Sequence, residues 1–127
     1  MTLLVIDTSA WMEYFLGSAL GKRVAEHVSS NTLITPSIVL LELSYKAEHE
    51  QWEFERVFDF IKAKSRVFGI GEKMILNFGS LYNRAKATQK DFSLADAIIL
   101  ATALEEQAYL LTKDTHFKNF ERVILLK

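Results

Sequence analysis

A four-residue apolar run, Leu3–Ile6, begins this chain and ends abruptly at a carboxylate, Asp7. Unbroken apolar character over four residues, two of them β-branched, is typical of a strand that is buried on both faces. Such strands belong to parallel sheets that are covered by helices on both sides. We therefore expect Asp7 to stand at the carboxyl end of a buried strand, where open α/β sheets place their ligand sites.

Strand-like and helix-like patterns alternate along the rest of the chain. Short apolar runs predict further strands at 33–34, 67–70, 109–111 and 123–126. Apolar residues at three- and four-residue spacing predict the intervening helices, over 9–16, 20–30, 37–49, 54–64, 74–85 and 93–106, with N-caps at Ser9, Ser37 and Ser93. This order predicts a three-layer α/β/α fold with a mostly parallel, roughly five-stranded sheet. Since we find no linker, repeat or low-complexity segment, we expect a single domain over residues 1–127.

The composition limits the classes of function. The chain has no cysteine, which excludes disulfides, thiolate zinc sites and cysteine nucleophiles, and which fits a reducing, cytoplasmic location. The net charge of −1 offers no general attraction for nucleic acid, so such a partner must be held by a local patch or by metal ions. No apolar stretch approaches the ~20 residues that span a bilayer, so we expect no membrane association. The first apolar run also lacks the basic flank of a signal peptide.

Four carboxylates interrupt otherwise apolar patterns. Asp7 ends the first strand, Asp96 lies in the first turn of the most apolar helix, and Asp114 follows the strand at 109–111. Glu42 lies on the apolar face of its helix, in the second turn. Strand ends and the helix starts that follow them share one edge of a parallel sheet. We therefore expect the first three carboxylates at that edge, with Glu42 within reach of it.

Each carboxylate also has a purely structural interpretation. Asp7 could cap the next helix, and Asp96 fits a capping box with Ser93. Glu42 could pair with a buried arginine, and Asp114 could be an ordinary loop residue.

Taken together, four converging carboxylates point to a cation. Two unit charges 4 Å apart repel by about 4 kcal/mol at an effective dielectric constant near 20, so such a group needs protonation, basic partners or a bound ion. Oxygen ligands without thiolates favour Mg²⁺ or Mn²⁺. A site of this kind suits metal-assisted hydrolysis of phosphodiesters.

Four stretches of the chain, taken in order and at this spacing, carry a family resemblance. They are Val5-Ile6-Asp7-Thr8-Ser9, Pro36-Ser37 to Glu42-Leu43, Ser93-Leu94-Ala95-Asp96-Ala97, and Leu111-Thr112-Lys113-Asp114 with Phe117. With them the chain resembles the PIN-domain ribonucleases, and among these the VapC-type toxins of toxin–antitoxin pairs. The resemblance covers essentially the whole chain and implies a single PIN-like domain.

The resemblance implies a metal-dependent endoribonuclease, the toxin of a type II toxin–antitoxin pair. Its catalytic and metal-binding residues would be an acidic quartet, which consists of Asp7, Glu42, Asp96 and Asp114. Ser9 and Thr112 would support the quartet, and Mg²⁺ or Mn²⁺ would be the cofactor. The implied partners are an RNA substrate, a cognate antitoxin and a second copy of the chain.

Two further residues are candidates for RNA contact. Lys113 precedes Asp114 and could touch a phosphate. His116 stands where many members of the family carry another acid. It could bind phosphate, tune a metal-bound water indirectly or cap a turn. The aromatic residues of the helix pair at 37–64 could form a dimer or antitoxin groove, or simply pack in the core.

Two alternatives to the nuclease hypothesis stay open from the sequence. A phosphohydrolase could use Asp7 as its nucleophile, although that chemistry usually wants a second aspartate where Ser9 stands. A non-catalytic PIN-like binding module could hold the same acidic cluster for structural reasons alone.

Overall fold

A five-stranded sheet lies between helices in the computed structural model of this chain, which describes residues 2–127. The strands are β1 (Leu3–Ile6), β2 (Thr32–Pro36), β3 (Arg66–Phe68), β4 (Tyr109–Thr112) and β5 (Val123–Leu125). The helices are α1 (Thr8–Leu16), α2 (Ala19–Ser30), α3 (Ser37–Glu50), α4 (Phe54–Lys64), α5 (Glu72–Thr88) and α6 (Leu94–Glu105). A 3₁₀ turn, Thr115–Phe117, follows β4. The predicted three-layer α/β/α fold is confirmed.

All four strand pairings are parallel, and β1 is the central strand. The spatial order is β3-β2-β1-β4-β5, and Val5 of β1 pairs with Ile34 on one side and with Leu110 on the other. The chain thus builds the sheet outward from β1 to β3, then returns to the other side of β1 for β4 and β5. This reversal makes the carboxyl ends of β1 and β4 a topological switch point, where α/β sheets open a crevice for ligands.

The central strand and α1 anchor the core. Leu4, Val5 and Ile6 are completely buried, as their unbroken apolar run predicts. Trp11 of α1 is also completely buried, and its indole N–H donates a hydrogen bond of 3.1 Å to the Thr35 hydroxyl. Because the polar end of the tryptophan is satisfied, its burial adds apolar area without an unpaired donor.

The first residues of two helices differ from the sequence prediction. α1 begins at Thr8, so the predicted N-cap at Ser9 is wrong: the Asp7 carboxylate caps the helix by accepting a hydrogen bond from the Ser9 N–H. Pro36 rather than Ser37 occupies the N-cap position of α3, without a side-chain hydrogen bond. The predicted capping box of α6 is confirmed, with Ser93 and Asp96 each accepting a hydrogen bond from the other's backbone N–H.

The outer strands are shorter than the sequence prediction. β3 ends at Phe68, so Gly69 and Ile70 lie outside the strand. β5 ends at Leu125, one residue before the predicted end. Each of these edge strands pairs with a single neighbour, and the apolar run in the sequence extends beyond the residues that pair.

Within residues 2–127, we find no helix long and apolar enough to cross a bilayer.

Candidate active site

The Asp7 carboxylate lies at the switch point, just past the end of β1. Its oxygens accept hydrogen bonds from the Ser9 N–H and from the Thr112 hydroxyl at the end of β4. Only 3% of Asp7 is exposed. Burial raises the pKa of Asp7 to about 6, against the lowering effect of these hydrogen bonds, and the negative charge of Asp114 raises it further. The ionised form of Asp7 therefore lacks a compensating positive charge.

The Thr112 hydroxyl connects two carboxylates of the acidic quartet. It donates to Asp7 and accepts a hydrogen bond of 2.9 Å from the backbone N–H of Asp114. Ser9 lies beside it: its hydroxyl is 3.3 Å from that of Thr112 and accepts from the Lys113 N–H at 2.9 Å. The predicted supporting pair thus fixes the end of β4 against the first turn of α1.

Asp114 and Asp96 approach each other through His116. Asp114 caps the 3₁₀ turn by accepting a hydrogen bond of 2.9 Å from the His116 N–H. The His116 Nδ1 atom lies 3.3 Å from a carboxylate oxygen of Asp96 and 3.7 Å from one of Asp114. Asp114 is therefore the cap of this turn, while the imidazole of His116 faces both carboxylates.

Glu42 completes the quartet from the opposite helix. Its carboxylate accepts a hydrogen bond from the Thr8 hydroxyl, at the start of α1. The partner in this contact is a hydroxyl, rather than the buried arginine considered as a structural alternative. The structure thus brings the quartet together along one cleft of about 510 Å³, which is lined by Asp7, Glu42, Asp96 and Asp114.

Two lysines also line this cleft. The Lys113 ammonium lies 2.9 Å from a carboxylate oxygen of Glu13, and this contact lowers the pKa of Glu13. Lys46 lies one helical turn after Glu42 and faces the same cleft. Sequence reasoning missed Glu13 and Lys46. The four-residue spacing from Glu42 was the signal for Lys46, but the pairing of Glu13 with Lys113 joins residues 100 positions apart.

The donor groups of the cleft fit a divalent ion. One ligand atom each from Asp96, Asp114 and His116 lie within 4.8 Å of one another. Asp7 and Glu42 add carboxylates along the same cleft. Carboxylate oxygens are the preferred ligands of Mg²⁺ and Mn²⁺, and a cation there would stabilise the ionised form of Asp7.

Comparisons with known proteins agree on the fold. A family model described as PIN domain matches residues 4–123. VapBC2 from Rickettsia felis, solved with a DNA fragment from its promoter, aligns over 97% of this chain and 96% of that chain, with a TM-score of 0.74 and 21% identity. VapC20 from Mycobacterium tuberculosis, described as a toxin that cleaves the sarcin–ricin loop, aligns over 98% and 99%, with a TM-score of 0.74 and 17% identity.

A toxin–antitoxin complex from Klebsiella pneumoniae is similar over 95% of both chains, with a TM-score of 0.68 and 22% identity. At these identities the structural likeness establishes the fold alone. No curated protein sequence matches the chain significantly.

Proposed function

Because the chain belongs to the PIN domain family, as its sequence resemblance predicted, we propose that it is a metal-dependent endoribonuclease and the toxin of a type II toxin–antitoxin pair. The observation that carries this proposal is the convergence of the acidic quartet on one cleft at the switch point of the sheet. Residues from four separate parts of the chain meet there, and the shared burial and charge make a bound cation favourable.

Three carboxylates of the quartet share one task in this proposal, and the fourth faces them. The ion would be held by Asp7, Asp96 and Asp114, with Glu42 on the opposite wall of the cleft. Thr112 holds the carboxylate of Asp7, and the backbone of Ser93 holds that of Asp96. The ion would supply Lewis-acid activation of a water and would neutralise charge on the phosphorane and the leaving oxygen. The hydrogen bonds to these side chains fix the ligands before substrate arrives, which lowers the cost of reaching the reactive geometry.

Two lysines would hold the RNA against this acidic cleft. Lys46 and Lys113 line the cleft, and phosphate oxygens are natural partners for their ammonium groups. The whole chain carries a net charge of −1, so we expect these local contacts, rather than a general field, to hold the strand.

Cleavage of a mixed pool of structured RNAs, with Mg²⁺, Mn²⁺ or EDTA, tests the proposal. We expect metal-dependent cutting that falls by orders of magnitude in Asp96→Asn, because the amide still caps α6 but loses its charge. Asp59→Asn, an exposed aspartate of α4, is the matched control and should cut like the wild type. Full activity in Asp96→Asn would contradict the assignment.

The alternative with Asp7 as a covalent nucleophile has less support. Both oxygens of Asp7 accept hydrogen bonds within the chain, and the residue is almost completely buried. A nucleophilic carboxylate needs an open approach to phosphorus. This alternative would be refuted if a sample that cleaves RNA yields no aspartyl-phosphate when the reaction is quenched with acid. The binding-module alternative instead requires Asp96→Asn to leave RNA cleavage unchanged.

We place the antitoxin on α3, beside the cleft. Leu41 is 66% exposed and Tyr45 is 72% exposed, and the groove that they line shares Thr8, Glu42 and Lys46 with the cleft. An amphipathic helix bound there would bury both apolar side chains and obstruct access to the quartet. We expect Leu41→Lys to escape inhibition by a co-expressed antitoxin, measured as RNA cleavage. Continued inhibition of this variant would contradict the placement.

We place the second copy of the chain on a separate apolar surface. That surface is formed by α5, the start of α6 and the loop after β3, and it is lined by Ile70, Met74, Ile75, Phe78, Leu94 and Ile98. An uncharged surface is complementary to itself, as a two-fold interface requires. Sedimentation should give twice the 14.5 kDa monomer mass for the wild type and for Leu41→Lys, but the monomer mass for Ile75→Lys. A monomeric wild type at micromolar concentration would overturn the dimer.

The aromatic residues of α3 and α4 divide between the core and the surface. Phe60 packs against Trp11, with ring centroids 6.3 Å apart, and Phe54 stacks on Phe58 at 5.9 Å. Tyr45 instead stacks on His49 at the surface, at 5.7 Å. Phe54, Phe58 and Phe60 pack against the core, so of these residues only Tyr45 supports the partner groove, one of the two alternatives that the sequence left open for 37–64.

A further inference from the structure

The imidazole of His116 is directed at two carboxylates of the quartet. Its Nδ1 atom lies 3.3 Å from Asp96 and 3.7 Å from Asp114, and one ligand atom from each of the three residues falls within a 4.8 Å group. About 40% of the His116 side chain is exposed, while 14% of the Asp96 side chain is. The histidine therefore covers the more buried acid from the solvent side.

The fold fixes this arrangement from both directions. His116 lies inside a 3₁₀ turn, and its backbone N–H donates a hydrogen bond to the Asp114 carboxylate. The next residue, Phe117, is buried and packs against Phe92, with ring centroids 5.2 Å apart. Asp96 is held by the backbone N–H of Ser93 at 3.1 Å. The backbone of His116 and the carboxylate of Asp96 are therefore both held in place, and the imidazole starts from a fixed position beside the two acids.

The spacing of these donors is near that of ligands around one ion. Opposite ligands of an octahedral ion with bonds of about 2.1 Å are about 4.2 Å apart. The three donor atoms of His116, Asp96 and Asp114 lie within 4.8 Å of one another, which is close to this separation. The set contains one nitrogen donor, and an imidazole nitrogen binds a transition-metal ion such as Mn²⁺ more strongly than it binds Mg²⁺, which prefers oxygen ligands.

We propose that His116 is a direct ligand, with Asp96 and Asp114, of a divalent-ion site that selects Mn²⁺ over Mg²⁺. This inference rests on the proposed function only in requiring that the cleft binds a divalent ion. It assigns to His116 a role in the choice of metal, which distinguishes this cleft from one built of oxygen ligands alone.

A second interpretation of the same contacts makes the opposite prediction. A protonated His116 would be a fixed cation that neutralises Asp96 and Asp114 in place of a metal. Removal of that cation would then strengthen the binding of every divalent ion. Removal of a nitrogen ligand would instead weaken Mn²⁺ binding and leave Mg²⁺ binding nearly unchanged.

Competition between Mn²⁺ and Mg²⁺ separates these cases without RNA. We would measure free Mn²⁺ by electron paramagnetic resonance during titration of the purified full chain, with and without Mg²⁺. We expect His116→Gln and His116→Asp to lower the preference for Mn²⁺ over Mg²⁺ by about tenfold or more, the size of effect seen when a partner of a metal site is lost. His116→Asp should keep tight Mg²⁺ binding, because it restores an oxygen ligand.

The control is His27→Gln, which changes a histidine on α2, and circular dichroism checks the fold of each variant. An unchanged ratio in both His116 variants, equal weakening of the two ions, or stronger binding in His116→Gln would each overturn the inference. Cobalt(II) gives a second readout, since loss of a nitrogen ligand changes its visible absorption.

The outcome is also separable from the nuclease proposal. Altered metal preference without any RNA cleavage would support His116 as a ligand and refute the nuclease. RNA cleavage by a protein whose metal preference does not change when His116 is replaced would support the nuclease and refute His116 as a ligand.

Discussion

Asp7 serves two structural demands with one carboxylate. One oxygen caps α1 by accepting from the Ser9 N–H, and the other accepts from Thr112 across the strand pair β1–β4. The sequence offered these as alternatives, a helix cap or an active-site acid. The geometry shows the cap and also places Asp7 at the cleft, because the helix that follows β1 starts at the same sheet edge where the cleft opens. The cap holds the acid in place, and burial makes its charge costly.

The charge on Asp7 should make the metal-free protein less stable at neutral pH. Burial raises the pKa of Asp7 from 3.8 to about 6, so between those values the folded state binds more protons than the unfolded state. The free energy of unfolding therefore falls as the pH rises through this window, and the full loss remains above pH 6. A shift of this size corresponds to about 3 kcal/mol.

Urea unfolding in EDTA, from pH 4 to pH 7, measures this effect. Asp7→Asn cannot titrate, so its free energy of unfolding should exceed that of the wild type by an amount that grows with pH to about 3 kcal/mol. The exposed Asp59→Asn should show no such growth. If the free energies of unfolding of Asp7→Asn and the wild type differ by the same amount at every pH, the raised pKa of Asp7 is refuted.

At the scale of elements, α1 and α2 approach so closely that one position requires glycine. A Cβ atom on Gly21 would lie 2.0 Å from the backbone oxygen of Glu13 and 2.8 Å from its carbonyl carbon. Both atoms are backbone, so the helices themselves would have to separate. Such a movement would also shift Glu13, whose carboxylate holds Lys113 at the cleft.

We expect Gly21→Ala to destabilise the fold by about 1–3 kcal/mol, as overpacking does, despite the better helix propensity of alanine. Gly79→Ala in α5 is the matched control: nothing lies within 4 Å of its added Cβ, so the same change should stabilise by up to about 1 kcal/mol. Thermal unfolding of both variants checks the sign. Similar effects of the two substitutions would contradict the close approach.

The elements themselves were predictable because their signals are local. Apolar spacing placed each strand and helix in order, and the strand–helix alternation predicted the layers and the parallel sheet. The capping box of Ser93 with Asp96 was readable for the same reason, since both residues lie in one turn. The N-cap of α1 was left open between Asp7 and Ser9, because the choice depends on the position of Asp7 at the sheet edge; the structure shows Asp7.

The cleft was predictable only in part, since its contacts join distant positions. The four carboxylates interrupt apolar patterns and could be found one by one, although their catalytic role stays a prediction. The contact of His116 with Asp96 joins residues 20 positions apart, and the contact of Lys113 with Glu13 joins residues 100 positions apart. Neither contact produces a periodic pattern in the sequence from which it could be predicted. The exposed apolar surface on α5 was equally hidden, because an amphipathic stripe predicts burial whatever covers it.

At the scale of the whole molecule, the cleft joins the carboxyl ends of two neighbouring strands to two separate helices. Asp7 follows β1, Asp114 follows β4, and Glu42 and Asp96 come from α3 and α6. An ion that binds these side chains therefore connects distant parts of the chain that the unfolded state does not hold together. Binding to the folded state alone stabilises the whole fold by mass action.

We accordingly expect Mn²⁺ to raise the melting temperature of the wild type. At a free concentration one hundred times the dissociation constant, the gain is about 2.7 kcal/mol, or about 10 °C for a chain of this size. EDTA should reverse this shift in melting temperature, and the control variant Asp59→Asn should keep it. Asp114→Asn should lose most of the shift, because its amide can cap the 3₁₀ turn but carries no charge. An equal shift in Asp114→Asn would place the ion elsewhere on the molecule and would contradict a metal site at the acidic quartet.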